Sequence, residues 1–339
     1  MPALLADLTT LRLGGPVGRA IIASSTDELV EAVRVCDAAG EPVLIVGGGS
    51  NLVAADDGWP GAVLLIRTTG VDPAERDGAV AVTVQAGVEW DAFVASTVEE
   101  GWSGLASMSG IPGLSGATPI QNVGAYGSEV ADVISAVTVL DRASGRVETW
   151  PPERCGFGFR TSAFKHTDRY VVLAVTFALR RSPDGVPVRY LELARRLGVE
   201  PGGVAPSRQV REVVLDLRRS KGMLLDPADH DTWSVGSFFV NPFVAPGAAP
   251  DGCPQWSVDG KLKLSAAWLI ENAGFAKGFG LSRGRGSVAL STKHSLALTN
   301  RGGATTAELL ELAREIRDGV EAKFGVTLRP EARLAGVDF

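Results

Sequence analysis

The first apolar pattern along the chain predicts a helix followed by a buried strand. Ser25 and Glu28 have the spacing of a capping box, and the apolar residues that follow them to position 39 recur at helical intervals. Residues 42–46 then form an unbroken apolar run, as in a strand that is buried on both faces. The sequence GGGSN follows at 47–51, so a glycine loop is expected at the carboxyl end of that strand.

Later patterns predict a mixture of strands and helices. Strands are expected at 79–86 and 170–180, and 133–150 has two β-rich runs around a turn, which indicates a hairpin. Helices are expected at 90–100, 262–272 and 305–324, the last opened by the capping box Thr305 and Glu308. With 339 residues, 45% of them hydrophobic, the chain can bury a large core and is expected to be globular, in two or three domains.

Charge and composition favour small-molecule chemistry. The net charge is −6 and no run of Lys or Arg occurs, which argues against a nucleic-acid or anionic-membrane surface. No stretch of eighteen apolar residues and no basic, apolar leader is present, so we expect a cytoplasmic protein. No metal site is expected, because metal-ligand spacing is missing among Cys36, Cys155, Cys253, His166, His230 and His294.

Residues 109–127, SGIPGLSGATPIQNVGAYG, have a composition that suits neither an ordinary helix nor a regular strand. Glycine allows the backbone to approach a bulky ligand, proline stiffens the loop, and exposed N–H groups can face an anion. This pattern predicts a loop around a phosphate-bearing cofactor. The alternative is a Gly/Pro-rich surface connection, which the apolar residues Ile111, Leu114, Ile120 and Val123 disfavour.

The GGGSN loop does not match the dinucleotide fingerprint of Rossmann folds. The third required glycine would fall at Leu52, and residues 53–60 resemble a turn where that fold needs a helix. No GK[ST] follows, so a P-loop is excluded as well. Two interpretations remain: a nest of N–H donors for a diphosphate, or a plain turn between two strands.

Five segments occur in an order that resembles one enzyme family. They are GGGSN at 47–51, the loop at 109–127, FRTSAFK at 159–165, GSFF at 236–239 and PEAR at 330–333. Together they resemble the UDP-N-acetylenolpyruvoylglucosamine reductase (MurB) family. The resemblance implies an α+β protein with the FAD-binding fold of the vanillyl-alcohol oxidase type, two α+β FAD-binding subdomains and a C-terminal α+β substrate domain. We expect their bounds at 1–70, 71–220 and 221–325, with the tail 326–339 packing on the first.

The resemblance also implies a reaction. NADPH would reduce noncovalently bound FAD, which would reduce UDP-N-acetylglucosamine enolpyruvate to UDP-N-acetylmuramate, a precursor of peptidoglycan. The enzyme is expected to be a monomer that binds a small-molecule substrate and no nucleic acid or membrane. Two alternatives remain open: another FAD-dependent sugar or lactone oxidoreductase of the same fold, and a noncatalytic UDP-sugar sensor.

Three residues carry the implied chemistry. Arg160 would stabilise the enolate-like intermediate, since its planar fork can hold a carboxylate. Ser237 would donate the proton, with Lys221 near the resulting alkoxide, and Glu331 would bridge Ser237 and the intermediate. Taken without the resemblance, each also has a plain interpretation: a structural salt bridge, a serine that satisfies backbone groups, and a solvated charge near the end of the chain.

The resemblance assigns further contacts to substrate and cofactor. Substrate contacts are expected at Tyr190, Lys221, Asn241 and His294, although some family members carry glutamine at the position of His294. The segment 222–233 is longer than the family pattern and is expected to be a surface loop. A covalent flavin link is not expected, because no Cys or His occurs from 37 to 154. The expected FAD contacts are Gly47, Gly48, Gly49, Ser50, Asn51, Leu52, Ser109, Gly110, Ile111, Gly113, Gly116, Ala117, Gln121, Asn122, Gly124, Ala125 and Tyr126.

Overall fold

The computed structural model describes residues 4–76, 79–258 and 260–339. The chain forms two compact units. Unit 1 comprises residues 1–18, 49–60 and 221–339, and unit 2 comprises residues 19–48 and 61–220. The chain therefore crosses from one unit to the other after Gly18, Gly48, Pro60 and Ser220.

Strands and helices alternate irregularly along the described residues. The helices are α1 Thr26–Ala38, α2 Trp90–Glu99, α3 Leu191–Leu197, α4 Ser207–Ser220, α5 Ala266–Asn272 and α6 Thr306–Phe324. The strands are β1 Val17–Ala23, β2 Val43–Val46, β3 Leu52–Ala54, β4 Trp59–Ile66, β5 Val71–Arg76, β6 Ala79–Gln85, β7 Trp102–Ser103, β8 Gly124–Ala125, β9 Ser128–Glu129, β10 Ile134–Asp141, β11 Arg146–Trp150, β12 Tyr170–Arg181, β13 Phe243–Val244, β14 Gln255–Val258, β15 Lys261–Leu264, β16 Val288–Leu290, β17 Leu298–Asn300 and β18 Arg333–Ala335.

Unit 2 is built on an antiparallel sheet. Its order is β11-β10-β12-β6-β5, and β7 also pairs with β12. Strand β6 alternates buried and half-exposed residues, as expected for a strand with one face toward a core. That core includes the rings of Trp90, Phe93 and Phe177, whose centroids lie 5.5–6.0 Å apart.

A smaller sheet of unit 2 has the order β1-β4-β2, with β2 and β4 parallel. Helix α1 contributes Leu29 and Val33 to the same apolar cluster as Leu64 of β4. The Ser25 side chain accepts a hydrogen bond from the Glu28 amide at 3.2 Å, so the predicted cap of α1 is confirmed.

Unit 1 has its core around helices α5 and α6. Phe238 and Phe239 are fully buried there with apolar residues of both helices. Thr305 and Glu308 form the predicted capping box at the start of α6. Strand β18 pairs in parallel with β3, with Arg333 opposite Leu52, so residues of the 326–339 tail join those of the 49–60 segment.

The predicted helices and strands before residue 182 are confirmed within one or two residues, and so is α6. The helix predicted at 262–272 is wrong in its first turn, because Lys261–Leu264 forms β15 and α5 begins after Ser265. The sequence KLKL alternates with period two and pairs with β13 and β14, and the Ser265 hydroxyl caps α5 by accepting from the Trp268 amide at 3.2 Å. The three-part domain division stays a prediction. No helix within the described residues is long and apolar enough to cross a membrane.

Candidate active site

In unit 2, two glycine-containing loops touch through their backbones. A Cβ on Gly48 would lie 2.7 Å from the Gly113 Cα, closer than real Cβ contacts occur. A Cβ on Gly47 would lie 3.4 Å from the Leu114 side chain, an ordinary contact. The structure therefore brings the start of the GGGSN loop against the 109–127 loop, and only glycine fits at Gly48.

The 109–127 loop is also fixed against the end of β6. The Ser115 amide donates to the Val88 carbonyl at 2.8 Å, and the Gly116 amide donates to the Ala86 carbonyl at 3.0 Å. The Ser115 hydroxyl is buried and, within the residues that the structure describes, has no hydrogen-bond partner. A buried polar atom without a partner is costly, so this hydroxyl suits a polar group of a ligand held by the loop.

Asp91 fixes the loop from the side of helix α2. Its carboxylate accepts from the Gly110 amide at 2.5 Å and from both Arg211 terminal nitrogens, at 2.5 and 2.9 Å. Burial acts to raise the pKa of Asp91, but the hydrogen bonds from Arg211 and Gly110 outweigh it and hold the pKa below its ordinary value. Sequence reasoning missed this residue, because its partner Arg211 lies 120 positions away.

Asn122 uses its side chain within the protein. Its amide nitrogen donates to Glu129 at 2.8 Å and to the Gly158 carbonyl at 3.1 Å, and its oxygen accepts from the Ala131 amide at 3.1 Å. Its φ of +46° is one that asparagine tolerates better than most residues. The Asn122 side chain thus holds the loop together through contacts within the protein.

Arg160 lies against the far end of the same loop. Its guanidinium donates to the Gly124 carbonyl at 2.6 Å and to the Asn122 carbonyl at 3.4 Å, and lies 3.8 Å from the Glu129 carboxylate. The side chain is 22% exposed, and Lys165 donates to the Arg160 carbonyl at 2.9 Å. A largely desolvated guanidinium beside the 109–127 loop can stabilise negative charge on a ligand there.

Tyr190 packs on the same loop. Its ring meets that of Tyr126 edge-on at a centroid distance of 5.5 Å, while the Tyr190 residue stays 41% exposed.

Arg218 of α4 is a further cation of unit 2 that sequence reasoning missed. Burial lowers the pKa of Arg218, and the nearby Tyr126 and Asp91 act in the opposite direction.

In unit 1, the rest of the GGGSN loop is held by residues near the start of the chain. A Cβ on Gly49 would lie 1.8 Å from the Leu8 carbonyl oxygen, and the Gly49 carbonyl accepts from the Thr10 amide at 3.2 Å. The Asn51 carbonyl accepts from the Arg333 amide at 2.9 Å, and Leu52 begins β3.

Ser237 and Glu331 lie on neighbouring backbone segments of unit 1. The Glu331 amide donates to the Phe238 carbonyl at 2.7 Å, and Phe239 forms an isolated bridge with Pro330. Both Ser237 and Glu331 are half-buried. Two of the three predicted catalytic residues are thus brought together, even though 94 positions separate them in sequence.

His294 contacts Ser237. Its Nε2 lies 3.4 Å from the Ser237 Oγ, within hydrogen-bond reach. The turn that carries His294 is linked to the segment 222–233, where Asp231 accepts from the amide and hydroxyl of Thr292 at 2.9 and 2.5 Å. The segment 222–233 is expected to be a surface loop; its residues 225–228 are exposed, but Asp231 and Thr232 are buried.

The two remaining predicted substrate residues also lie in unit 1. The Asn241 side-chain oxygen accepts from the Ala266 amide at 3.0 Å, at the start of α5, and Lys221 is half-buried. The structure therefore sorts the predicted residues into two groups. Unit 2 carries Arg160, Tyr190 and the 109–127 loop, and unit 1 carries Ser237, Glu331, Lys221, Asn241 and His294. No cluster of three or more His, Cys, Asp or Glu that could hold a metal occurs among the described residues.

Comparisons with known proteins match both regions. Residues 18–150 match the model of an FAD binding domain, and residues 226–335 match the C-terminal domain of UDP-N-acetylenolpyruvoylglucosamine reductase. The reductase of Thermobifida fusca is 53% identical over 98% of this chain and 97% of its own length. That of Saccharopolyspora erythraea is 54% identical over 97% of this chain and 94% of its own length.

A solved structure agrees with these matches. The MurB crystal structure from Thermus caldophilus is 25% identical, with a TM-score of 0.68, and covers 98% of this chain and 97% of its own. The predicted fold class, an FAD-binding fold of the vanillyl-alcohol oxidase type followed by a C-terminal substrate domain, is confirmed.

Proposed function

The chain belongs to the UDP-N-acetylenolpyruvoylglucosamine reductase family, and from this we propose that Arg160, Ser237 and Glu331 carry out the NADPH-dependent formation of UDP-N-acetylmuramate. The coarser activity follows from membership: the protein is an FAD-dependent oxidoreductase that reduces UDP-N-acetylenolpyruvoylglucosamine. The observation that carries the finer proposal is the pairing of Ser237 with Glu331 in unit 1.

The 109–127 loop of unit 2 fits a noncovalent FAD. At the Gly48–Gly113 contact the two loops meet without side chains between them, and the buried Ser115 hydroxyl suits a polar partner on the cofactor. These residues would hold the diphosphate and ribityl regions, together with Gly47 and Gly116. When bound, FAD supplies hydride to the substrate double bond, and NADPH is the proposed source of that hydride.

Arg160 serves as the electrostatic partner of the substrate carboxylate. Hydride addition to an enolpyruvyl ether places negative charge on the neighbouring carbon and carboxylate, and a cation lowers the energy of that charge. The support is that the Arg160 guanidinium is mostly buried and aligned by the carbonyls of Gly124 and Asn122. A fixed guanidinium needs little reorganisation when the charge develops.

Ser237 donates the proton to the carbanionic carbon. The hydroxyl is a weak acid, but the carbanion is a strong base, so the transfer is favourable when a nearby group stabilises the oxygen. Glu331 orients this step from the adjacent backbone segment, and Lys221, Asn241 and Tyr190 bind the sugar nucleotide. We place the enzyme in the cytoplasm, where UDP-sugars are made, as a monomer.

Rapid-mixing measurements of the two half-reactions test this function. The enzyme is reduced anaerobically with NADPH and then mixed with UDP-N-acetylglucosamine enolpyruvate while the flavin absorbance is followed. We expect fast return of the oxidised spectrum together with the muramate product. A flavin that NADPH reduces but this substrate does not reoxidise would favour another FAD oxidoreductase, and binding of the UDP-sugar without turnover would favour a sensor.

Ser237→Ala separates the roles further. Flavin reduction by NADPH should stay near normal, while reoxidation by the enolpyruvyl substrate should fall at least about a hundredfold, the scale of one lost acid catalyst. Equal losses in both half-reactions would contradict the assigned proton donor.

A further inference from the structure

We propose that His294 is a positioning residue for Ser237, and that the buried Asp231 of the 222–233 segment fixes His294 in place. This inference deepens the proposed function and rests on it for its kinetic consequences. The contact itself, between the Ser237 Oγ and the His294 Nε2, is independent of the reaction.

His294 lies in a turn that is fixed by hydrogen bonds to nearby residues. Its amide donates to the Ser291 hydroxyl at 3.2 Å, and its carbonyl accepts from the Ala297 amide at 3.1 Å. The next backbone link joins this turn to the serine segment, because the Phe238 amide donates to the Leu296 carbonyl at 2.8 Å. The imidazole and the Ser237 hydroxyl are therefore carried by two connected pieces of backbone.

Side chains of the 222–233 segment hold that turn in place, and we call these contacts the clamp. Asp231 is 4% exposed and accepts from the Thr292 amide at 2.9 Å, the Thr292 hydroxyl at 2.5 Å and the Arg301 guanidinium at 2.7 Å. A second ion pair joins Asp229 to Lys293 at 2.5 Å. Burying a carboxylate is costly unless it is paired and hydrogen-bonded, and Asp231 is both. The clamp therefore gives the residues beside His294 one defined arrangement.

The chemical consequence concerns the oxygen of Ser237. With a hydrogen on Nε2, His294 donates to the Oγ, so the hydroxyl hydrogen of Ser237 points away from the imidazole. When the Ser237 O–H bond breaks and a C–H bond forms on the substrate, the negative charge moves from carbon to the Oγ. The Nε2–H hydrogen bond stabilises that charge, and water later returns a proton to the oxygen.

Four variants test the kinetic part: Ser237→Ala, His294→Ala, His294→Gln and the double variant Ser237→Ala/His294→Ala. For His294→Ala we expect reoxidation by the enolpyruvyl substrate to slow about tenfold, the scale of one hydrogen bond, with NADPH reduction unchanged. His294→Gln should recover part of the rate, because an amide can also donate. The double variant should match Ser237→Ala, since the effect proposed for His294 on proton transfer passes through the serine. Losses that multiply in the double variant, or equal losses in both half-reactions, would overturn the proposal.

Asp231→Asn tests the clamp, with Asp251→Asn as the matched control because Asp251 is exposed in the same unit. Asp231→Asn should slow reoxidation several-fold in the presence of His294 and have no further effect in the His294→Ala background. The same loss in both backgrounds would show that Asp231 acts independently of His294 and would overturn this part of the proposal.

A spectroscopic test separates this inference from the proposed function. The chain has only three histidines, so ¹⁵N-histidine labelling gives a short set of ring signals. Ser237→Ala should shift the Nε2 signal of His294, assigned by its loss in His294→Gln, and leave those of His166 and His230 in place. An unchanged His294 signal would refute the contact, whether or not the enzyme turns over the enolpyruvyl substrate.

Discussion

The two units hold their functional loops in different ways. In unit 2, part of the 109–127 loop lies in direct backbone contact with a second glycine-containing loop, at Gly48 and Gly113. In unit 1, the turn that carries His294 is positioned by charged side chains, with Asp231 between Thr292 and Arg301. The contact in unit 2 is possible because glycine has no side chain. The arrangement in unit 1 depends on paired charges.

The difference fits the roles that we propose for the two loops. A loop that wraps a large planar cofactor needs its backbone close to the ligand, and side chains would keep it away. A loop that orients a proton donor needs directional contacts, which charged hydrogen bonds supply. The comparison therefore predicts that unit 2 is most sensitive to added volume and unit 1 to lost charge.

The largest effect is expected from Gly48→Ala. The new methyl group would overlap the Gly113 backbone, which cannot retreat as a flexible side chain would, so FAD affinity should fall at least about a hundredfold. Gly18→Ala is the matched control, because Gly18 is not among the expected FAD contacts and its Cβ would meet only the Trp59 carbonyl oxygen, at 3.9 Å. Titration of the apoprotein with FAD, followed by flavin fluorescence, measures both. Similar FAD affinities for the two variants would contradict the expectation that unit 2 is most sensitive to added volume.

Arg160→Lys should have the next largest effect. Lysine keeps the charge but lacks the planar fork whose two nitrogens donate separately to the Gly124 and Asn122 carbonyls, so the enolate partner would be misplaced. We expect reoxidation by the enolpyruvyl substrate to slow about ten- to a hundredfold in stopped-flow traces, with FAD still bound. Arg154→Lys, at an exposed arginine of the same unit, should leave the rate unchanged. A normal rate in Arg160→Lys would mean that charge alone suffices there.

A smaller effect is expected at Asp91, where unit 2 also uses charge. Since its pKa is depressed in the folded protein, its stabilising contribution is present above the unfolded pKa of about 3.9 and is lost as the pH falls through the lower folded value. Asp91→Asn should therefore lower the melting temperature at pH 6 by a few degrees, and the difference from the wild type should shrink toward pH 3. Melting curves across this range measure it, and a difference independent of pH would exclude the ion pair as the cause.

The smallest effect concerns two buried thiols, Cys155 of unit 2 and Cys253 of unit 1. Burial raises the pKa of Cys155 in unit 2 to about 11, and burial also raises the pKa of Cys253 in unit 1. Both should react with a thiol reagent at pH 8 only through local opening, far more slowly than in denaturant. Peptide mapping of the label over time compares the units directly. Faster labelling of Cys253 than of Cys155 would show that unit 1 opens more readily than unit 2.

Local signals in the sequence predicted much of the fold. The caps of α1 and α6 and the β10–β11 hairpin each depend on residues a few positions apart, such as Asp141, whose carbonyl accepts from the Gly145 amide at 2.7 Å. Strand β15 was missed because KLKL becomes a strand only when β13 and β14 lie on either side of it.

The site was predictable in a different way. Arg160, Ser237 and Glu331 came from the resemblance of short motifs to a family, since nothing in their periodicity distinguishes them from ordinary polar residues. The residues that hold the candidate site in place could not be predicted from such motifs. Asp91 with Arg211, and Asp231 with Thr292 and Arg301, join residues far apart in sequence, and only the fold makes them neighbours.

The interleaving of the two units has a consequence for synthesis on the ribosome. All of unit 2 has been translated once residue 220 is made, but β3 of unit 1 must wait for its parallel partner β18, 281 residues later at Arg333. Until then Leu11, Leu13 and Val53, which belong to the core of unit 1, have no completed core to enter. While residues 221–333 are being made, the nascent chain therefore carries exposed apolar segments beside an already foldable unit, and such segments are what chaperones for unfolded chains bind.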